Sequence, residues 1–263
     1  MKYFAYGSNM NAARMEERHI SYRKRTRATL ADHRLCFDKI ASGLEGAGYA
    51  NVIPSKGEAV EGILYSSVSE AGIQLLDEKE HVYTRHYTRE KVRVNTEAGT
   101  EEAWIYIAGR EYRCDGLKPT SDYLAHLLQG DDILSETWVD ELRDIETVDT
   151  HLFVYGTLKK GHSNHRLLSG SRCIGTGHTL RKYTMYADGI PYVKSTPATS
   201  VIQGEIYRIT DEILERCDAL EGHPRWYRRK QTLVQTDGKP TCAWLYFCDT
   251  ADGTILPEGR WSR

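Results

Sequence analysis

The chain has 263 residues, 40% of them hydrophobic and 27% charged, with a formal net charge of −2. That balance describes a soluble globular protein of one large or two small domains. It lacks the basic footprint of a nucleic-acid binder, and no apolar run approaches the roughly 18 residues that span a membrane. Cys36, Cys114, Cys173, Cys217, Cys242 and Cys248 form no Cys-x-x-Cys pair. The first residues carry no basic region followed by an apolar core. Scattered thiols without a secretory signal predict a cytoplasmic protein. The sequence leaves the oligomeric state open.

In chain order, residues 2–6 read as a strand that stops at Tyr6-Gly7-Ser8-Asn9, and a helix follows from about Asn11. Residues 23–40 suggest strands. The segment from Ser42 to Tyr49 is glycine-rich and reads as a loop, and Asn51–Pro54 as a short strand. Ala59–Tyr65, rich in β-formers, reads as a further strand. Ser69 caps a helix that carries Ile73, Leu75, Leu76 and, at its end, Glu80. Tyr83–Val94 and Glu102–Ala108 are expected to be strands. Two helices follow, one starting at Pro119 with hydroxyl caps and ending at Gly130, the other capped by Ser135.

The order then begins again. Phe153-Val154 stops at Tyr155-Gly156-Thr157, and Arg166–Leu168 reads as a short helical turn. Met185-Tyr186 and Pro191–Val193 flank a turn at Asp188-Gly189. Val201–Tyr207 reads as a strand, and Thr210 caps a helix with Ile213, Leu214 and Cys217 inward. Tyr227–Val234 and Thr241–Cys248 complete the pattern. Tyr6 to Tyr155 is an offset of 149, Gly62 to Gly204 of 142 and Asp77 to Asp218 of 141. Tyr87 to Tyr227 and the Ala-Trp-x-Tyr strands starting at Ala103 and Ala243 are offset by 140. Five landmarks in one order with little drift predict an internal repeat. Two domains are expected, at 1–148 and 149–263, each of the α+β class with a mixed, barrel-like sheet. The helices expected after Pro119 belong to the first copy alone.

The repeated residues carry the chemistry. A strand ending at Tyr-Gly-Ser or Tyr-Gly-Thr leaves backbone N–H groups free to hold an anion or a carboxylate. Each copy also repeats Asp-x-x-Glu at a helix end, Asp77/Glu80 and Asp218/Glu221. Such carboxylates are commonly solvated. Placed on the inward face with Leu76 or Cys217, the Glu would be desolvated and its basicity raised toward the range of a general base. Tyr106 and Tyr246 close the Ala-Trp-x-Tyr strands and suit either a core or a site. Ser8 and Thr157 have no repeated His to activate them. His162 and His165 have the spacing of two ligands on a helix but no acidic or thiol partner nearby, and read as a polar loop or helix start.

Tyr6–Met10 with Gly62–Tyr65, Leu76-Asp77-x-x-Glu80, Trp104–Tyr106 and the helices within 119–145 resembles γ-glutamylcyclotransferase. Phe153–Gly161 with Asn164-His165, Gly204–Tyr207, Asp218–Gly222 and Tyr227–Arg229 resembles the related γ-glutamylamine cyclotransferases. The tandem arrangement is similar to two-domain cyclotransferase-like proteins of bacilli. The resemblance implies two small mixed β-barrels with flanking helices, each with a cavity at its Tyr-Gly turn, and neither metal nor cofactor. By motif, Glu80 and Glu221 would be the catalytic acid/bases. Tyr6, Gly7, Ser8, Asn9, Met10 and Tyr106, with Tyr155, Gly156, Thr157, Leu158 and Tyr246, would bind the substrate. The implied reaction converts a small γ-glutamyl amide to 5-oxoproline and a free amine. Two features depart from the family pattern: the first copy has Glu80-His81 where Glu-Gly is usual, and the second lacks the helical tail. On motif completeness the second copy is expected to be active, and the first is left open. A non-enzymatic module sensing a small molecule, or a γ-glutamyl hydrolase or transferase, are the alternatives.

Overall fold

The structure is a computed structural model that describes residues 1–238, 240–250 and 252–262. Arg263, the expected end of the second domain, lies outside the described residues. The chain divides into two compact units, Met1–Leu142 with Glu146–Val148, and Arg143–Ile145 with Asp149–Arg263. Each unit contains a closed five-stranded barrel with helices around it, the α+β arrangement that the repeat predicts.

The first unit runs β1 (Tyr3–Ala5), α1 (Ala12–Glu17), β2 (Lys24–Ile40), β3 (Gly48–Ser66), α2 (Glu70–Lys79), β4 (Tyr87–Thr96), β5 (Gly99–Ala108), α3 (Ser121–Leu128) and α4 (Glu136–Arg143). Its barrel order is β1-β3-β2-β4-β5, closed where β1 runs parallel to β5 at Tyr3 and Trp104. Alternate side chains of these strands point inward. Phe4, Tyr6, Leu30, Val52, Val60, Leu64, Val94 and Ile105 thereby fill the interior. Asn11, Ser69 and Thr120 cap α1, α2 and α3 with their side-chain oxygens, which satisfies N–H groups that have no helical partner.

Two expected strands, Asn51–Pro54 and Ala59–Tyr65, are one continuous β3. Pro54 and Gly57 read as breakers, yet a bulge carries the pairing past them. The register shifts between Ala31 and His33 of β2, and Asp32 Oδ1 accepts a hydrogen bond from the Gly57 N–H at 2.9 Å. Gly57 adopts φ +86° there, a backbone that suits glycine. The strand expected from Tyr83 begins at Tyr87, because Val82–Thr84 form a 3₁₀ turn.

The second unit runs β6 (His151–Val154), β7 (Arg172–Thr179), β8 (Thr184–Asp188), β9 (Ile190–Lys194), β10 (Gln203–Arg208), α5 (Asp211–Glu221), β11 (Arg228–Gln235), β12 (Thr241–Phe247) and β13 (Thr254–Leu256). The barrel order β10-β6-β12-β11-β7 repeats the first, again closed by a parallel pair, Leu152 with Trp244. A three-stranded sheet β13-β8-β9 is added to it. Strand β7 has no counterpart in the reading of the sequence, which assigns nothing between Leu168 and Met185.

The two barrels share one packing detail. A Cβ on Gly62 would lie 2.4 Å from the Ala5 carbonyl oxygen and 2.7 Å from the Phe4 ring. A Cβ on Gly204 would lie 2.3 Å from the Val154 oxygen and 2.8 Å from the Phe153 ring. The first strand of each barrel thus packs its Phe on bare glycine backbone. No helix among the described residues is long and apolar enough to cross a membrane.

Candidate active site

Both barrels carry the same frame. The strand-end tyrosines reach across the interior, Tyr6 Oη donating to the Tyr106 carbonyl at 2.5 Å and Tyr155 Oη to the Tyr246 carbonyl at 2.8 Å. Tyr106 Oη donates in turn to Asp77 Oδ1 at 2.9 Å, and Tyr246 Oη to Asp218 Oδ1 at 2.6 Å. Arg89 Nη1 lies 2.8 Å from Asp77 Oδ2, and Arg229 Nε 3.0 Å from Asp218 Oδ1. These guanidinium groups stack over Trp104 and Trp244, at 4.6 and 4.3 Å from the ring centroids. The Asp of each Asp-x-x-Glu therefore ties the end of its helix to the barrel wall. Burial pushes the phenols of Tyr106, Tyr155 and Tyr246 up, well beyond titration near neutrality, so they stay neutral donors.

This anchoring fixes where the following Glu emerges. In the second unit Glu221 is the last residue of α5, and Gly222 turns the chain away at φ +62°. Its side chain lines a cavity of about 130 Å³ with Tyr155, Gly156, Thr157, Leu158, Tyr227 and Tyr246. The strand-end turn and the carboxylate, 65 residues apart in sequence, thus face one cavity. Asn164 Nδ2 donates to Thr157 Oγ1 at 3.0 Å and orients that hydroxyl. Pro191 packs on the other side of the turn, where a Cβ on Gly156 would fall 2.7 Å from its Cγ. Leu220, Ile190 and Trp226 form an apolar rim, and Trp226 is 52% exposed. Among the described lining residues Glu221 alone is acidic or basic, and among the described residues its carboxylate has no hydrogen-bond or ion-pair partner. Burial raises its pKa from 4.5 to about 7.

The first unit presents the same parts in another state. Glu80 caps the C-terminus of α2. Its Oε1 accepts from Arg18 Nη1 at 2.8 Å and from Asn9 Nδ2 at 3.2 Å. Asn9 also donates to Tyr3 Oη at 2.8 Å, and its own Oδ1 is buried without a partner. Glu80 lines two spaces. One is a cleft of about 30 Å³ with Tyr6, Gly7, Ser8, Asn9 and Tyr106. The other is a cavity of about 280 Å³ lined by Ser8, Arg14, Arg18, Lys39 and His81 among others. Tyr123 of α3 covers the turn, where a Cβ on Gly7 would lie 3.0 Å from its Oη. His81 holds the left-handed backbone that Gly222 has in the second unit, at φ +52°. Met10 lines neither space. It is fully buried, packed near Gly130, with its carbonyl accepting from Arg25 at 3.0 Å.

The expected site residues other than Met10 thus line one of these spaces, several of them from within the core clusters. Arg18, Lys39, Tyr123, Pro191 and Trp226 have no site role in the sequence reading, and Asn164 enters it only through the resemblance. Arg89 and Arg229 could have been found, since they share the 140-residue offset of Tyr87 and Tyr227. The ring of His162 stacks on Trp261 at 4.9 Å, and His165 Nδ1 lies 3.0 Å from the Leu158 carbonyl. Among the described residues no three His, Cys, Asp or Glu side chains converge as metal ligands.

The model of the family described as gamma-glutamyl cyclotransferase, AIG2-like, matches residues 3–125 and again residues 152–263. A Methanocaldococcus jannaschii protein named "Putative gamma-glutamylcyclotransferase" is 45% identical over 111 residues, 41% of this chain and 92% of that one. The human gamma-glutamylaminecyclotransferase is 36% identical over 93 residues, covering 32% of this chain and 61% of that protein. The crystal structure of an uncharacterized human protein superimposes with a TM-score of 0.50 at 25% identity, over 56% of this chain and 89% of that chain. With nearly its whole length matched in two successive segments, this chain belongs to the gamma-glutamyl cyclotransferase, AIG2-like family.

Proposed function

We propose that the chain is a γ-glutamyl cyclotransferase whose second domain, 149–263, carries out the reaction with Glu221 as general acid/base. The observation that carries this reading is the unpaired carboxylate of Glu221, raised to about 7 by burial, in the cavity of the Tyr155-Gly156-Thr157 turn. A γ-glutamyl amide already holds its nucleophile, the α-amine, within ring-closing reach of the γ-carbonyl. At neutral pH that amine is an ammonium and inert. Glu221 takes its proton, and the nitrogen lone pair attacks the γ-carbonyl carbon. The five-membered ring closes on a tetrahedral centre. Glu221 then returns that proton to the departing nitrogen as the old C–N bond breaks, and the second proton of the ring nitrogen is released through the freed carboxylate to the amine or to water, leaving 5-oxoproline and a free amine. A carboxylate near 7 is matched to both steps, and such help is worth about 10²–10⁴-fold.

The turn holds the glutamyl head through the free N–H groups after Tyr155 and the Thr157 hydroxyl, and confines the arm to a ring-closing pose. The same N–H groups can stabilise charge on the tetrahedral oxygen. Proton transfer and charge stabilisation are all that the ring closure calls on, so the reaction needs no metal. The rim of Leu220, Ile190 and Trp226 favours a leaving amine with aliphatic character. In the first domain, 1–148, Glu80 has one oxygen occupied by Arg18 and Asn9. That pairing favours the binding of a small molecule there over proton transfer.

The test is release of 5-oxoproline from γ-glutamyl amines and γ-glutamyl amino acids, with Glu221→Gln as the control. Release that disappears in Glu221→Gln supports the reading. No release from any γ-glutamyl compound, or release untouched by the substitution, sinks it. Glutamate as the product would indicate a hydrolase instead.

A further inference from the structure

The cavity of the first domain is built unlike that of the second. Arg14, Arg18, Lys39 and Lys79 line it against the one carboxylate of Glu80, a formal excess of 4 − 1 = +3 with His81 and His86 neutral. Arg18 spends its charge on Glu80 at 2.8 Å. Among the described residues neither Lys39 nor Arg14 has a carboxylate at ion-pair distance. Lys39, on β2, is 4% exposed. Its Nζ donates to the Ile40 carbonyl at 2.9 Å and faces the rings of Tyr112 and Tyr87 at 5.3 and 5.8 Å. No carboxylate stands within ion-pair distance of it among the described residues. Among the described residues Arg14 Nε is buried without a hydrogen-bond partner, and its Nη1 lies 3.3 Å from the ring Nε2 of His126.

A cation taken out of water costs several kcal/mol unless a counter-charge offsets it, and Glu80, already paired with Arg18, is the carboxylate that acts on Lys39 and, with Glu17, on Arg14. Two of them on the wall of one cavity form a site whose missing component is negative. The space is about 280 Å³, against about 130 Å³ in the second domain. Ser8, Ser42 and Tyr49 add neutral polar groups to the same wall. The cavity is therefore large enough for a small organic molecule and not only for a single-atom ion.

We infer that the cavity of the first domain is a binding site for a small molecule bearing two or more carboxylate or phosphate groups. Lys39 and Arg14 supply the counter-charges from opposite elements, β2 and α1. Arg18 holds Glu80 against its own helix, so that the carboxylate does not repel the ligand. The site is independent of the reaction assigned to Glu221, and it survives if that reaction fails.

Citrate and inorganic pyrophosphate are the probes, titrated calorimetrically into the full chain and into Lys39→Met and Arg14→Gln. The expected result is saturable binding of at least one probe, weakening as salt rises. Each substitution should cost roughly tenfold or more, the loss of one hydrogen bond to a charged group. Citrate alone binding identifies carboxylates as the ligand chemistry, and pyrophosphate alone identifies phosphates. Lys39→Met should also raise the melting temperature of the unliganded protein, since it removes a buried unpaired charge, while reducing the rise that the probe produces. If Lys39→Met does not fold, Arg14→Gln carries the test by itself. No binding of either probe at millimolar concentration overturns the inference, as does binding that neither substitution weakens.

Discussion

The guanidinium of Arg18 lies 2.8 Å from Oε1 of Glu80, and among the described residues nothing comparable reaches Glu221. The neighbouring sequence explains the difference. The offset of 149 that carries Tyr6 to Tyr155 also carries Asn9 to Leu158 and Tyr3 to Leu152. The donor that touches Glu80 and the phenol behind it are both leucine in the second copy. Those leucines join Tyr227 and Tyr246 in one apolar cluster. Loss of these polar neighbours leaves Glu221 desolvated, which is the cause of its raised pKa.

The two glutamates should therefore behave differently on substitution. Glu221→Gln is expected to lower 5-oxoproline release by about 10²–10⁴-fold, the range of general acid/base help. Glu80→Gln should leave it within a few-fold. Steady-state kinetics of the two variants decide this. A loss of only about half in each variant, with full loss in the double variant, would place catalysis in both domains.

The pH profile follows from the same carboxylate. Glu221 must be ionised to accept the ammonium proton, so kcat/KM should rise with pH through about 7, the value set by its burial, and then level off. A free-enzyme profile already flat from pH 5 upward would assign the base to another group.

Stability should run the opposite way. Between pH 4.5 and about 7 the folded protein binds the Glu221 proton while the unfolded chain has released it. Stability is then full below the unfolded value and is lost as pH rises through the folded one. The loss is at most about 3.5 kcal/mol, from 1.4 kcal/mol per unit of pKa, and less to the extent that solvent reaches the group. Glu221→Gln should abolish this loss, and should unfold at higher urea than the parent at pH 8 but not at pH 4.5.

Tyr246 was expected to bind substrate, and it does line the cavity, yet its hydroxyl donates to Asp218 at 2.6 Å. Tyr246→Phe should cost about 1 kcal/mol of stability, one net hydrogen bond, and leave KM within about twofold, since a positioning group of this kind carries little direct binding. Asp218→Asn should cost more, roughly 2–3 kcal/mol, because Arg229 and Tyr246 both lose a charged acceptor. A tenfold rise in KM for Tyr246→Phe would return that residue to direct substrate contact.

Gly62→Ala and Gly204→Ala test the barrel frame. The added methyl meets backbone oxygen at 2.4 and 2.3 Å, and each change should cost about 3 kcal/mol, the upper end of overpacking. Denaturant unfolding that shows less than 1 kcal/mol for either would mean that the Phe4 and Phe153 joints are loose.

The repeated frame was legible because its parts recur in order at a nearly constant offset, from Tyr6/Tyr155 to the Ala-Trp-x-Tyr strands. The Arg18–Glu80 pair was not. It joins residues 62 apart across two helices, and no local pattern records which cation folds over which carboxylate. Pro54 and Gly57 obscure the continuity of β3, and Gly175 and Gly177 the β-pattern of β7, since the bulge held by Asp32 and the register shift beside Ile206 both tolerate glycine that a flat strand disfavours. Met10 looked like part of the turn because it follows Asn9, but the 3₁₀ turn Ser8–Met10 rotates its side chain inward.

The Phe-on-glycine joint has a consequence for how such a chain can be altered. It ties β1 to β3, and β6 to β10, through backbone that admits no side chain. In the first barrel no residue of the joint lines either space beside Glu80, so the opening there can be redesigned with the wall held fixed. In the second, Phe153 and Val154 also line the cavity, so wall and opening must be altered together.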